Sequence, residues 1–198
     1  RQMCIRDRDW RKALERLRSP GSAMAFAKQE VQLLEKMDID EEGNPNRLPG
    51  TVELSTSPDI RQISTFLSVA ECQYLTELSL PLLQPSVVVN PNTGALIQNP
   101  IRTSMGASFP FIAETPFLHA VNRRIAAVTQ TLYGQGEPMQ ILSYTANQQY
   151  KLHSDAITGS DNQRVTTVLV YLNDDFEGGE THFPAIENRI RGRQGDAI

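Results

Sequence analysis

Cysteine is almost absent from this chain, with two in 198 residues. Cys4 lies in Gln2-Met3-Cys4-Ile5-Arg6-Asp7, which resembles the translation of a sequencing-library adapter, so residues 1–8 are read as a non-native remnant and set aside. That leaves Cys72, a single thiol inside a helical pattern, read as a small buried apolar residue. No disulfide framework is expected, which favours a reducing, cytoplasmic setting. Long apolar runs are lacking too. The longest, residues 168–172, is far too short to span a bilayer, and the charged start has no apolar leader, so no membrane association is expected. There is no basic excess either: the net charge is −4, which argues against a nucleic-acid surface. Histidine is scarce, with three, so each position can be weighed by itself. What remains is a chain long enough for one domain with an appendage.

Residues 9–38 read as a helical hairpin. Trp10, Ala13, Leu14 and Leu17 recur at helical spacing, Ser19-Pro20-Gly21 stops them, and a second helix spans 23–37. The pair is either the end of a helical repeat array or a plain hairpin packed on the next domain, and it is a candidate contact for another protein. Residues 39–62, rich in Asp, Glu, Gly, Asn and Pro, read as a linker or long surface segment with a short edge strand at 52–54. Ser68-x-x-Glu71 is a capping-box pattern that predicts a helix ending at Leu80-Pro81. Thr115-Pro116 opens another, through Leu132, with Gly134 and Gly136 as its stop. Strands are expected at 87–89, 101–108, 139–144, 149–155, 165–172, 181–183 and 196–198. The fold class implied is α+β: a double-sheet jelly roll over 63–198 with helices on one side, preceded by the hairpin.

His153-x-Asp155 carries the chemistry. On an extended chain, side chains at i and i+2 share a face, so an imidazole and a carboxylate would converge on one point. They are two of the three ligands of the 2-His-1-carboxylate face that binds non-haem Fe(II) and leaves open positions. His182 follows Thr181 directly, so on a strand it faces the other way and is not expected to bind the same metal. His119 falls in a predicted helix and reads as a packing or surface residue. Asp174, Asp175 and Glu177 read as a solvated loop.

Five blocks then occur in order: Ile141-Leu-Ser-Tyr144; Gln149-Tyr150-Lys-Leu-His153-x-Asp155; Arg164-Val-Thr-Thr-Val-Leu-Val-Tyr171-Leu-Asn173; Gly178-Gly-Glu-Thr-His-Phe-Pro184; and Gly195-Asp-Ala-Ile198. Together they resemble the prolyl 4-hydroxylase-type 2-oxoglutarate/Fe(II) dioxygenases. The resemblance implies a double-stranded β-helix that uses Fe(II), 2-oxoglutarate and O₂, with ascorbate as reductant, to hydroxylate an unactivated C–H bond, foremost a peptidyl proline. It implies His153 and Asp155 as metal ligands, and Tyr144 and Thr181 as hydroxyl donors to the distal carboxylate of 2-oxoglutarate. Tyr171 is either a further hydroxyl or a packing residue. Arg164, with Arg102 near it, is placed beside the substrate groove. The family's distal histidine and basic 2-oxoglutarate anchor fall after the Gly-x-Ala-Ile block. The chain is therefore expected to be a fragment, truncated before the last strands and inactive alone. Hydroxylation of a free amino acid or other small molecule, and a non-catalytic interaction role, are the alternatives.

Overall fold

The computed structural model describes residues 25–89, 95–98, 100–157 and 161–198. The adapter-like start and the expected helix at 10–17 lie outside the described residues.

Helix α1 (Ala25–Leu34) turns Leu33 and Leu34 into the core and also buries Glu30. The Glu30 carboxylate accepts the Phe117 amide at 2.7 Å and the Tyr74 hydroxyl at 3.2 Å, and burial raises its pKa. Following α1, Asp40 accepts the amides of Glu42 and Asn44, a side-chain-to-backbone turn. Strands β1 (Thr51–Thr56) and β2 (Asp59–Ile63) form an antiparallel hairpin, whose Ile60 and Ile63 are buried.

Helix α2 (Val69–Ser79) begins at the capping box legible in the sequence. Ser68 Oγ accepts the Glu71 amide at 3.3 Å, and the Glu71 carboxylate accepts the Ser68 amide at 2.6 Å. Glu71 has a second partner, the Arg124 guanidinium at 2.9 Å, which also donates to the Phe66 carbonyl. Strands β3 (Gln84–Pro85), β4 (Val88–Val89), β5 (Leu96–Ile97) and β6 (Met105–Phe109) follow. Helix α3 (Pro116–Thr129) starts at Thr115-Pro116 as expected but stops before the glycines: Gln130 adopts φ 55° and caps it in the left-handed region. Strand β7 (Met139–Ser143) pairs with β6 over five residues, and β6 is the centre of the β3-β6-β7 sheet. Strands β8 (Thr181–Phe183) and β9 (Asn188–Ile190) form the last hairpin.

The core lies between the helices and these sheets. Phe66, Leu67, Cys72, Tyr74, Phe117, Leu118 and Val121 are its most deeply buried large side chains, and Tyr74 meets Phe117 edge to face at 4.9 Å between centroids. Cys72 is a free, buried thiol raised to about 11, chiefly by desolvation, which fits its reading as a packing residue.

Residues 195–198 run between two extended segments. Ala197 exchanges both backbone hydrogen bonds with Ile63, while Ile198 exchanges them with Leu169. Gly195 has φ +87°, and a Cβ there would stand 2.1 Å from the Leu67 carbonyl oxygen, so only glycine fits. Three expected strands are corrected. Residues 149–155, 165–172 and 196–198 are not regular strands: the first pairs around Tyr150 with Arg102, and the second only near 169–171 with the third, which bridges to Ile63 on its other side. A strand is defined by its partner, and the backbone ladder here extends only over 149–151 and 169–171.

Candidate metal centre

Segment 101–103 holds 149–151 by two antiparallel hydrogen bonds, Thr103 N to Gln149 O at 3.0 Å and Lys151 N to Ile101 O at 2.8 Å. After that pairing the chain bends at Leu152 and delivers His153. The imidazole Nδ1 lies 2.8 Å from the Lys151 carbonyl oxygen. A carbonyl only accepts, so Nδ1 carries the proton; in the neutral ring Nε2 then has the lone pair. Nε2 stands 3.4 Å from Asp155 Oδ1. Two donors each about 2.1 Å from a first-row metal and roughly at right angles stand ~3 Å apart, so the pair has the separation of ligands sharing an ion. Asp155 Oδ2 accepts the Thr167 hydroxyl at 2.6 Å. Ring and carboxylate are thus both held from behind, as ligands of this kind usually are. The residues fit a divalent metal. Among the described residues, no group of three His, Cys, Asp or Glu side chains converges to hold one.

Five side chains belong to the surroundings of the pair, and two of them, Tyr150 and Glu137, were unread in the sequence. Tyr150 stacks on the His153 ring at 3.5 Å and 12°, and the Arg102 guanidinium lies 4.9 Å from the other ring's centroid. Arg164 forms a two-pronged ion pair with Glu137, Nε to Oε1 at 2.5 Å and Nη2 to Oε2 at 2.8 Å, and reaches the Asp155 carbonyl at 3.5 Å. That pairing holds the Glu137 carboxyl below its usual range and raises Arg164. Both side chains are well exposed, so the pair is screened by solvent. Tyr144, at the end of β7, is 44 % exposed.

Tyr171 and Thr181 form a second cluster. The Tyr171 ring is buried against Gly192, where a Cβ would meet it at 2.0 Å. Its hydroxyl shares a hydrogen bond with Thr181 Oγ1 at 2.8 Å and reaches the Ile190 carbonyl at 3.2 Å. Burial raises its pKa. Tyr171 therefore packs and also presents a hydroxyl. No described hydrogen bond or ion pair joins this cluster to His153.

The other histidines sit elsewhere. His182 is exposed and pairs across β8–β9 with Arg189, on the face opposite Thr181. His119 is buried, with Nδ1 3.3 Å from Glu114 and Nε2 3.2 Å from the Glu42 carbonyl.

Sequence reasoning missed Tyr150, Thr167 and Glu137. Tyr150 stood in the matched block, next to the ligand candidate, and was the one with a signal. Thr167 and Glu137 lie 12 and 27 residues from their partners and are brought in by the bends of the chain.

Residues 139–198 match the model of the 2OG-Fe(II) oxygenase superfamily. The chain is 41 % identical over 137 residues to prolyl 4-hydroxylase 1 of Arabidopsis thaliana, covering 66 % of this chain and 48 % of that protein. It is 34 % identical over 167 residues to probable prolyl 4-hydroxylase 8 of the same plant, covering 82 % and 57 %. A third relative, probable prolyl 4-hydroxylase 3, is 38 % identical over 140 residues, covering 68 % and 48 %. The chain spans about half the length of these curated relatives. With the five blocks in order inside the matched region and the likeness running well ahead of it, the chain belongs to the 2OG-Fe(II) oxygenase superfamily and is of the prolyl 4-hydroxylase type.

Proposed function

We propose that this chain is part of a 2-oxoglutarate- and Fe(II)-dependent dioxygenase that hydroxylates peptidyl proline. The observation that carries the proposal is the His153–Asp155 pair, with Nδ1 on the Lys151 carbonyl and Nε2 3.4 Å from Oδ1. The names of the relatives favour proline as the target.

In this reading His153 Nε2 and one Asp155 oxygen hold Fe(II). Bound there with 2-oxoglutarate, Fe(II) would supply O₂-dependent hydroxylation of a C–H bond coupled to conversion of 2-oxoglutarate to succinate and CO₂, with ascorbate as the reductant of this proposal. The remaining work belongs to the protein. Lys151 O accepts the Nδ1 proton of His153, which leaves Nε2 as the nitrogen that would face the metal. Thr167 occupies one Asp155 oxygen and leaves the other turned to the histidine. Thr181 and Tyr144 are assigned to the distal carboxylate of 2-oxoglutarate, with Tyr171 holding the Thr181 hydroxyl in place. Arg164, kept in one orientation by Glu137, and Arg102, laid over Tyr150, are assigned to the peptide groove. The jelly-roll fold belongs to the same proposal; it accords with the antiparallel pairings of 63, 169–171 and 195–198 around one buried strand-like segment.

The test is succinate release by the gene product that carries this chain, supplied with Fe(II), 2-oxoglutarate and a proline-rich peptide. Peptide-stimulated succinate that His153→Ala abolishes is the expected result. Normal turnover by that variant would overturn the ligand assignment. Stimulation by free amino acids with none by peptide would overturn the substrate.

A further inference from the structure

We infer that Tyr150, backed by Arg102, is a positioning residue that fixes the plane of the His153 imidazole and thereby aims Nε2 at the metal position. The inference rests on the reading of His153 as a metal ligand.

Without Tyr150 the ring would be free to turn. The Lys151 carbonyl holds Nδ1 along one line, and rotation about that line is not restrained by a hydrogen bond. His153 is exposed, so core packing does not restrain it either. The neighbour that defines its plane is Tyr150, whose ring lies 3.5 Å away and only 12° from parallel. Stacking at that distance permits the imidazole to slide but not to tilt.

Tyr150 is itself held from the backbone. Arg102 and Tyr150 are directly opposed residues of an antiparallel pairing, with the hydrogen bonds made by their neighbours Thr103 and Lys151. In such a non-hydrogen-bonded pair the side chains approach most closely. The guanidinium accordingly sits over the phenol ring at 4.9 Å. Its Nε is buried with no hydrogen-bond partner among the described residues, so no hydrogen bond at that nitrogen pulls the group away from the ring. The order is Arg102, Tyr150, His153, Asp155: a cross-strand pair is converted, through one stacked ring, into the direction of a metal-binding lone pair. The contact requires a flat ring at 150 and makes no use of the hydroxyl.

Outer partners of metal-bound histidines typically contribute about 10–100-fold to metal affinity. Two measurements on the gene product that carries this chain test the inference. The first is the proton NMR spectrum of the metal-free protein. The stacked phenol ring should shift the His153 imidazole protons upfield in the wild type and in Tyr150→Phe, and Tyr150→Ala should abolish the shift. The second is Mn(II) affinity, read from the free-ion EPR signal. It should hold in Tyr150→Phe and weaken about 10-fold or more in Tyr150→Ala. An unchanged His153 shift in Tyr150→Ala overturns the stack. A lost shift with unchanged Mn(II) affinity overturns the positioning role. No Mn(II) uptake by the wild type, with the shift intact, overturns instead the metal-ligand reading beneath it.

Discussion

Asp155 shows how a side chain can be readied by groups that would not touch the metal. One of its oxygens accepts the Thr167 hydroxyl at 2.6 Å, and the other faces His153. In Thr167→Val the size is kept and the donor is lost, so the carboxylate is free to rotate. Mn(II) affinity of the chain is expected to fall by roughly 10-fold, with little change in thermal stability, because Thr167 is exposed. Equal affinity in the variant would show that Asp155 is oriented by other means. At this scale the sequence was legible where the contact is local. The i, i+2 relation put His153 and Asp155 together, and strand alternation turned His182 away from Thr181. Thr167 was not legible, since nothing in a threonine 12 residues on marks it as a donor to that carboxylate.

Gly195 carries the corresponding argument for an element. The segment it opens lies between 63–67 and 169–171, and Leu67 N donates to the Gly195 carbonyl at 2.9 Å. Any Cβ would collide with the Leu67 carbonyl and would also require a left-handed backbone. Gly195→Ala is therefore expected to lose on the order of 3 kcal/mol in denaturant unfolding, the strain and the clash adding. A loss below about 1 kcal/mol, within the ordinary run of substitutions, would mean that the strand-like segment yields easily. Element starts were well marked, because Ser68-x-x-Glu71 and Thr115-Pro116 are local devices acting within one turn. Strand extents were poorly marked. Residues 149–155 and 165–172 have strand-like composition, but a ladder exists only where a second segment offers its amides and carbonyls.

For the whole molecule, two buried carboxylates give the pH dependence opposite signs. Burial raises Glu30, so the folded state holds a proton that the unfolded chain releases near its usual pKa of 4.5. Its contribution is full below that value and is lost as pH rises through the folded pKa. Glu114 is also desolvated, yet hydrogen bonds from His119, Tyr133 and Asn122 outweigh burial and lower its pKa. Its contribution is present above the unfolded pKa and is lost as pH falls through the folded one. Glu30→Gln keeps an acceptor for the Phe117 amide and removes the titration. Its melting temperature should fall less than that of the wild type as pH is raised from 4.5 toward neutrality. Parallel profiles would show that Glu30 does not titrate in this range.

Order and spacing along the chain were enough to identify the family, and the iron and 2-oxoglutarate chemistry and the candidate ligands proposed above follow from that resemblance. Those signals are local: each block is a few residues whose chemical types must recur at fixed offsets. Only the tertiary structure decided that Tyr150 stacks on His153, that Thr167 holds Asp155, that Glu137 holds Arg164, and that Tyr171 shares its hydroxyl with Thr181. It also joined α1 to the remainder through Glu30, 44 residues from Tyr74 and 87 from Phe117. The physical reason is common to all of these. A side chain's partner across a fold is set by how segments pair and bend. A stacked ring or a satisfied carboxylate therefore leaves no periodicity in the sequence by which it can be found.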